Sequence, residues 1–169
     1  MNEASGIDTA AAGNATVLSV SPHHEDGVCL ERIFHGSGWT FLATPTLAWA
    51  FSVLRERTVS IVLCEVDLFP GTWREMLTHI SVLDDPPLLI VTARLADERL
   101  WAEALNLGAY DVLATPFDAT EVIRIVDMAR HRWHNRRELG ASRIKPRQAA
   151  ANTRLLCGEE ADESNCLAG

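Results

Sequence analysis

The residues best placed for chemistry in this chain stand where apolar runs stop. Ile61-Val-Leu-Cys64 ends on the carboxylate Glu65, Leu89-Ile-Val91 on the hydroxyl of Thr92, and Val112-Leu-Ala114 on Thr115-Pro116. Thr16-Val-Leu-Ser-Val20 leads into Ser21-Pro22, with Glu25 and Asp26 three to five residues further on. Carboxylates and hydroxyls gathered at strand ends are the groups that phosphoryl transfer and cation binding require. There is no Gly-rich phosphate loop after Val20, and no Ser/His/Asp or metal-ligand arrangement at these ends, which argues against a nucleotide-binding or hydrolytic enzyme. Glu25 and Asp26 fall on the expected first turn of a helix, where acids are favoured by its dipole alone.

The elements that must position these residues follow from period and punctuation. Strands are expected over 16–20, 39–43, 60–64, 88–91 and 111–114. Helices are expected over 24–34, from Thr44-Pro45-Thr46 through Leu54, over 72–82, over 96–107 with Gly108 past its end, and from the N-cap Asp118 to about Arg137. Leu47, Ala50, Phe51 and Leu54 make a core-facing stripe on the second helix. Strands and helices in strict alternation imply right-handed crossovers and a parallel, doubly wound sheet. Functional groups in such sheets collect outside the carboxyl ends of the strands.

Composition limits the alternatives. The chain has 169 residues, 47% hydrophobic and 22% charged, which fits one domain with a real core. A net charge of −8 argues against a surface devoted to nucleic acid or anionic lipid. No run of eighteen apolar residues occurs, and residues 1–15 lack the pattern of a secretory signal, so a cytoplasmic protein without a membrane span is expected. Cys29, Cys64, Cys157 and Cys166 have no metal or disulfide spacing. Residues 1–14 are expected to be a mobile tail, 15–137 the folded domain, and 138–169 mostly disordered apart from one short helix.

Three segments together resemble the response-regulator receiver (CheY-like) family: Ile61 to Gly71, Leu89-Ile-Val-Thr-Ala93, and Gly108-Ala-Tyr-Asp-Val-Leu-Ala-Thr-Pro-Phe117. The resemblance covers 16 to about 137 and implies a flavodoxin-like α/β fold, five parallel strands in the order 2-1-3-4-5 with helices on both faces. It also implies a phosphoryl site, and this chain departs from that site at each position. The phosphoacceptor aspartate corresponds to Glu65, the acidic pair that holds Mg²⁺ to Ser21 and Pro22, the phosphoryl-binding lysine to Thr115, and the switch residues to Thr92 and Val112. The sequence has a single lysine, Lys145, far from that position. Phe69-Pro70 replaces the usual loop proline, and Tyr110, of the same strand parity as Val112, is a candidate substitute for the switch aromatic.

Glu65 then has three readings: a phosphoacceptor, a fixed stand-in for the phosphorylated state, or a solvated carboxylate retained without switching. Its extra methylene would misplace an acyl phosphate, which argues against the first. The expectation is a stand-alone, degenerate receiver in two-component-type signal transduction, with no catalytic residue, no cofactor and no metal. It would act by contact with a signalling protein or another receiver, including a homodimer through the face of the fourth helix, fifth strand and fifth helix. Trp49, Trp73, Trp101 and Trp133 are expected in the core, and Arg94 at the surface. Arg130, Arg132, Arg136 and Arg137, continued by Arg143, Lys145 and Arg147, are a candidate basic contact patch. A nucleic-acid-associated regulator using that helix is the alternative, and a flavodoxin-like ligand binder or enzyme a weaker one. His131 and His134 lack a third ligand.

Overall fold

Alternation of apolar strands and amphipathic helices builds a single parallel sheet. The computed structural model describes residues 15–154, and the side chains of 15–140. The tail 1–14, residues 155–169 with Cys157 and Cys166, and the side chains of Arg143, Lys145 and Arg147 lie outside the described residues. In chain order the elements are β1 (Thr16–Val20), α1 (His24–Phe34), β2 (Thr40–Thr44), α2 (Leu47–Glu56), β3 (Ile61–Glu65), α3 (Trp73–Ser81), β4 (Leu88–Ala93), α4 (Glu98–Leu107), β5 (Asp111–Ala114) and α5 (Ala119–Arg154). The sheet order is β2-β1-β3-β4-β5, the flavodoxin-like order.

The two faces are separated by the pleat. Val17, Ile61, Leu63, Ile90 and Leu113 pack with Leu30 and Phe34 of α1 and Val122, Ile125, Val126 and Ala129 of α5. Leu18, Val20, Val62, Cys64, Leu89, Val91 and Val112 pack with α2, α3 and α4 through Leu47, Ala50, Leu54, Trp73, Met76, Ile80 and Ala104. Residues one apart on a strand thus serve opposite layers, as parallel strands covered on both faces require.

Helix starts carry side-chain caps. Thr46, Thr72, Asp97 and Asp118 each accept a backbone N–H of the first turn of α2, α3, α4 and α5. Gly108 ends α4 in the left-handed conformation, φ 110°.

Several expectations need correction. Strand β4 continues two residues past Val91, which brings Thr92 into the ladder opposite Glu65. Trp73 and Trp133 are buried, but Trp49 is 69% and Trp101 41% exposed. Trp49 lies two positions, about 200° of helical turn, from the inward Leu47. On α4 the buried position is Ala104, and Trp101 and Leu105 share the outer side. Tyr110 does not share a face with Val112: it packs with the α1/α5 layer, whereas Val112 packs with the α2/α3/α4 layer. Tyr110 precedes β5, so the pleat does not set its direction.

The first compact unit closes at Trp133, and a second begins at His134. In that second unit the backbone is helical to Arg154, beyond the expected helix end near Arg137. The Ala, Arg and Gln residues between 141 and 151 are strong helix formers, and they outweigh Gly140 and Pro146.

Candidate functional site

The crevice at the carboxyl ends of the strands begins with strand register. Glu65 pairs with Thr92 across β3 and β4, so both side chains leave the sheet on the same face, the one covered by α1 and α5. The Val66 N–H donates to the Thr92 carbonyl at 2.8 Å and fixes that pairing. The Thr92 hydroxyl donates to Glu65 Oε2 at 3.0 Å. Glu65 is only 1% exposed, so the reading of a solvated carboxylate at a strand end is overturned. Its other oxygen, Oε1, is buried without a hydrogen-bond partner among the described residues.

Helix α1 contributes a second carboxylate that the sequence reading left to the helix dipole. Asp26 is 7% exposed, and its Oδ2 accepts a 2.9 Å hydrogen bond from Ser21 Oγ at the end of β1. Ser21 Oγ also accepts the His23 backbone N–H at 3.1 Å, so one hydroxyl ties the strand exit to the first turn of α1. The available signal was the pairing of Ser21 with an acid five residues on. A strand-to-helix turn folds that spacing into one contact, and periodicity alone cannot report it. Glu25, the neighbouring acid, points outward to an ion pair with Arg94 at 3.3 Å. Arg94 is therefore at the surface, as expected, but it is committed across the mouth of the crevice from the β4–α4 loop to α1.

These surroundings set the charge states. Burial raises the Glu65 carboxyl above its ordinary range. The Thr92 hydrogen bond draws it back, the Asp26 charge raises it again, and the Asp67 amide and His23 lower it. The adjacent Cys64 thiol is pushed up by burial and by Glu65. Glu25 is held below its usual value, first by a hydrogen bond from its own backbone N–H, which outweighs the opposing effect of desolvation, and then by His23 and Arg94.

The remaining positions are uncharged. Pro22 offers no backbone donor and no side-chain ligand. Thr115 is buried at the exit of β5, its N–H donating to Ala93 and its Oγ1 without a partner among the described residues. A hydroxyl there cannot replace an ammonium group as a phosphoryl clamp. Asp26 is held by Ser21, and among the described residues no three His, Cys, Asp or Glu side chains are grouped to hold a metal ion.

Two arginines of the candidate basic patch, Arg130 and Arg132, make contacts within the first compact unit. Arg130 hydrogen-bonds Asp127 and lies over Trp39, and Arg132 lies over Tyr110. Arg136 and Arg137 fall in the second compact unit.

No protein-family model matches this chain, and no curated protein matches it. Solved structures do. The signal receiver domain of an HD domain-containing protein from Pseudomonas fluorescens Pf-5 aligns with a TM-score of 0.67 at 21% identity, over 73% of this chain and 99% of that one. The signal receiver domain of a putative Luxo repressor protein from Vibrio parahaemolyticus gives 0.70 at 16%, over 75% and 97%. The beryllofluoride-activated NtrC4 receiver domain, a dimer in solution, gives 0.65 at 19%, over 70% and 98%. With strand order, layers and crevice in agreement, this chain has the fold of the CheY-like response-regulator receiver domain.

Proposed function

We propose that this chain is a receiver-type signalling domain that works by protein–protein contact in two-component-type signal transduction, without aspartyl phosphorylation and without catalysis of its own. The observation that carries the reading is Glu65 itself. It occupies the strand end where the receiver resemblance places the phosphoacceptor, yet it is buried, one oxygen is engaged by Thr92, and Ser21, Pro22 and Thr115 stand where acidic pair and lysine are expected. A phosphodonor would have to reach a carboxylate with little access, without the usual cations to offset phosphate charge. No metal takes part in this reading.

The contact surface favoured by the structure is the face of α4, β5 and α5. Trp101, Leu105 and Leu107 on α4 and Ile123 and Met128 on α5 are exposed apolar side chains, and a Trp with adjacent aliphatics suits a contact hot spot. A second copy of the chain or another receiver is the proposed partner, as the NtrC4 receiver pairs with itself. Incubation of the full chain with a labelled small phosphodonor and Mg²⁺ tests the central point: no stable incorporation is expected, and a covalent label on Glu65 or elsewhere in the crevice would overturn the reading.

A further inference from the structure

The surroundings of Glu65 suit a neutral acid better than an anion. Thr92 donates to Oε2 and the Asp67 amide also bears on the carboxyl, but Oε1 is buried without a hydrogen-bond partner among the described residues, and none of the ion pairs formed among them involves this carboxyl. Leaving an anionic oxygen buried and unpaired is far more costly than leaving a neutral one so. The groups that face it from each packed element are of the wrong kind to neutralise it. Helix α1 brings the Asp26 carboxylate, with His23 as a partial counterweight. Arg94, from the loop after β4, is engaged by Glu25. The exit of β3 brings only the Asp67 amide, β3 itself the neutral Cys64 thiol, and the exit of β5 the uncharged Thr115. The Asp26 charge thus bears on a buried carboxyl that no cationic side chain pairs among the described residues, and a proton is the smallest cation that can neutralise it.

We propose that Glu65 is a proton-binding site, at which uptake of H⁺ from solvent by the carboxylate, giving the neutral acid, is the reversible change of charge that this crevice supports in place of phosphorylation. The inference rests on the reading that Glu65 is not phosphorylated.

The consequence for stability has a definite sign. An unfolded glutamate ionises at about pH 4.3, while the folded one holds its proton to higher pH. Folding stability from this group is complete below the unfolded value and is lost as pH rises through the folded one. The test uses the full chain and Glu65→Gln, which keeps the shape and lacks the titration. Glutamate side-chain carboxyls are followed by ¹³C NMR from pH 3.5 to 8.5, and denaturant unfolding is measured for both proteins over the same range. The resonance of Glu65, assigned through its backbone in the wild type and absent in the variant, is expected to titrate above the ordinary glutamate range. The stability of Glu65→Gln relative to wild type is expected to grow with pH and then level off. A Glu65 midpoint in the ordinary range, or a difference that stays flat with pH, would overturn the proposal. If the variant does not fold, the wild-type titration decides alone. A ³¹P signal after phosphodonor treatment would overturn the unphosphorylated reading while the titration of untreated protein still reports on the proton.

Discussion

Thr92 and Glu65 face each other across paired strand ends, and a 3.0 Å hydrogen bond from the Thr92 hydroxyl to Glu65 Oε2 joins them inside the protein. In the receiver resemblance these are the switch hydroxyl and the phosphoacceptor position. Here a carboxylate oxygen on a longer side chain already occupies the hydroxyl, so the contact is built into the fold. The Thr92–Glu65 bond gives the first measurable consequence.

Thr92→Val removes the described side-chain donor to a buried carboxylate while keeping the β-branched shape. A loss of about 1–3 kcal/mol in unfolding free energy is expected, the usual cost of orphaning a buried polar group. Because the Thr92 bond lowers the Glu65 pKa, its removal moves that pKa further up, and the loss is expected to be larger at pH 8 than at pH 4.5. Chemical denaturation at the two pH values checks this; equal losses would mean that the bond does not distinguish the two charge states.

Asp26→Asn keeps an acceptor for Ser21 and removes the charge that raises Glu65. The Glu65 midpoint, followed by carboxyl NMR, is expected to fall towards the ordinary glutamate range. A midpoint that does not move would assign the whole upward shift to burial.

Gly71 follows Pro70 in the loop leading to α3 with φ +99°, and a Cβ there would lie 2.4 Å from Leu47 Cδ1. Gly71→Ala combines a left-handed backbone with a clash that the Leu47 side chain must move to relieve. A destabilisation of about 1–3 kcal/mol is expected, seen as a lowered thermal midpoint. An unchanged midpoint would show that the loop relaxes into another conformation.

Trp101→Asp on the exposed side of α4 tests the proposed contact face. The variant is expected to stay folded with a loss of about 1–2 kcal/mol in unfolding free energy, since Trp101 is 41% exposed and part of its side chain is covered. Sedimentation is expected to show concentration-dependent association of the wild type and its loss in the variant. Identical sedimentation of the two would remove this face as a self-contact.

The sequence by itself determined the architecture, because apolar runs with period two, helical stripes and terminal caps all act locally. The strand sequence, the cap Asp118 and the stop at Gly108 were legible there, and the receiver resemblance implied the order 2-1-3-4-5. It also determined the substitutions at the crevice, since Glu65, Ser21, Pro22, Thr92 and Thr115 are identities and need no coordinates. What those residues do to one another was decided by tertiary structure. Glu65 carries no local sign of being buried; that follows from α1 and α5 covering its face of the sheet. Asp26 looks like any acid in a first helical turn until the β1–α1 turn brings Ser21 to it. Trp49 and Trp101 are exposed because other residues on their helices fill the core. Burial and charge proximity are properties of what the rest of the chain places around a side chain, and in this crevice those properties set the chemistry.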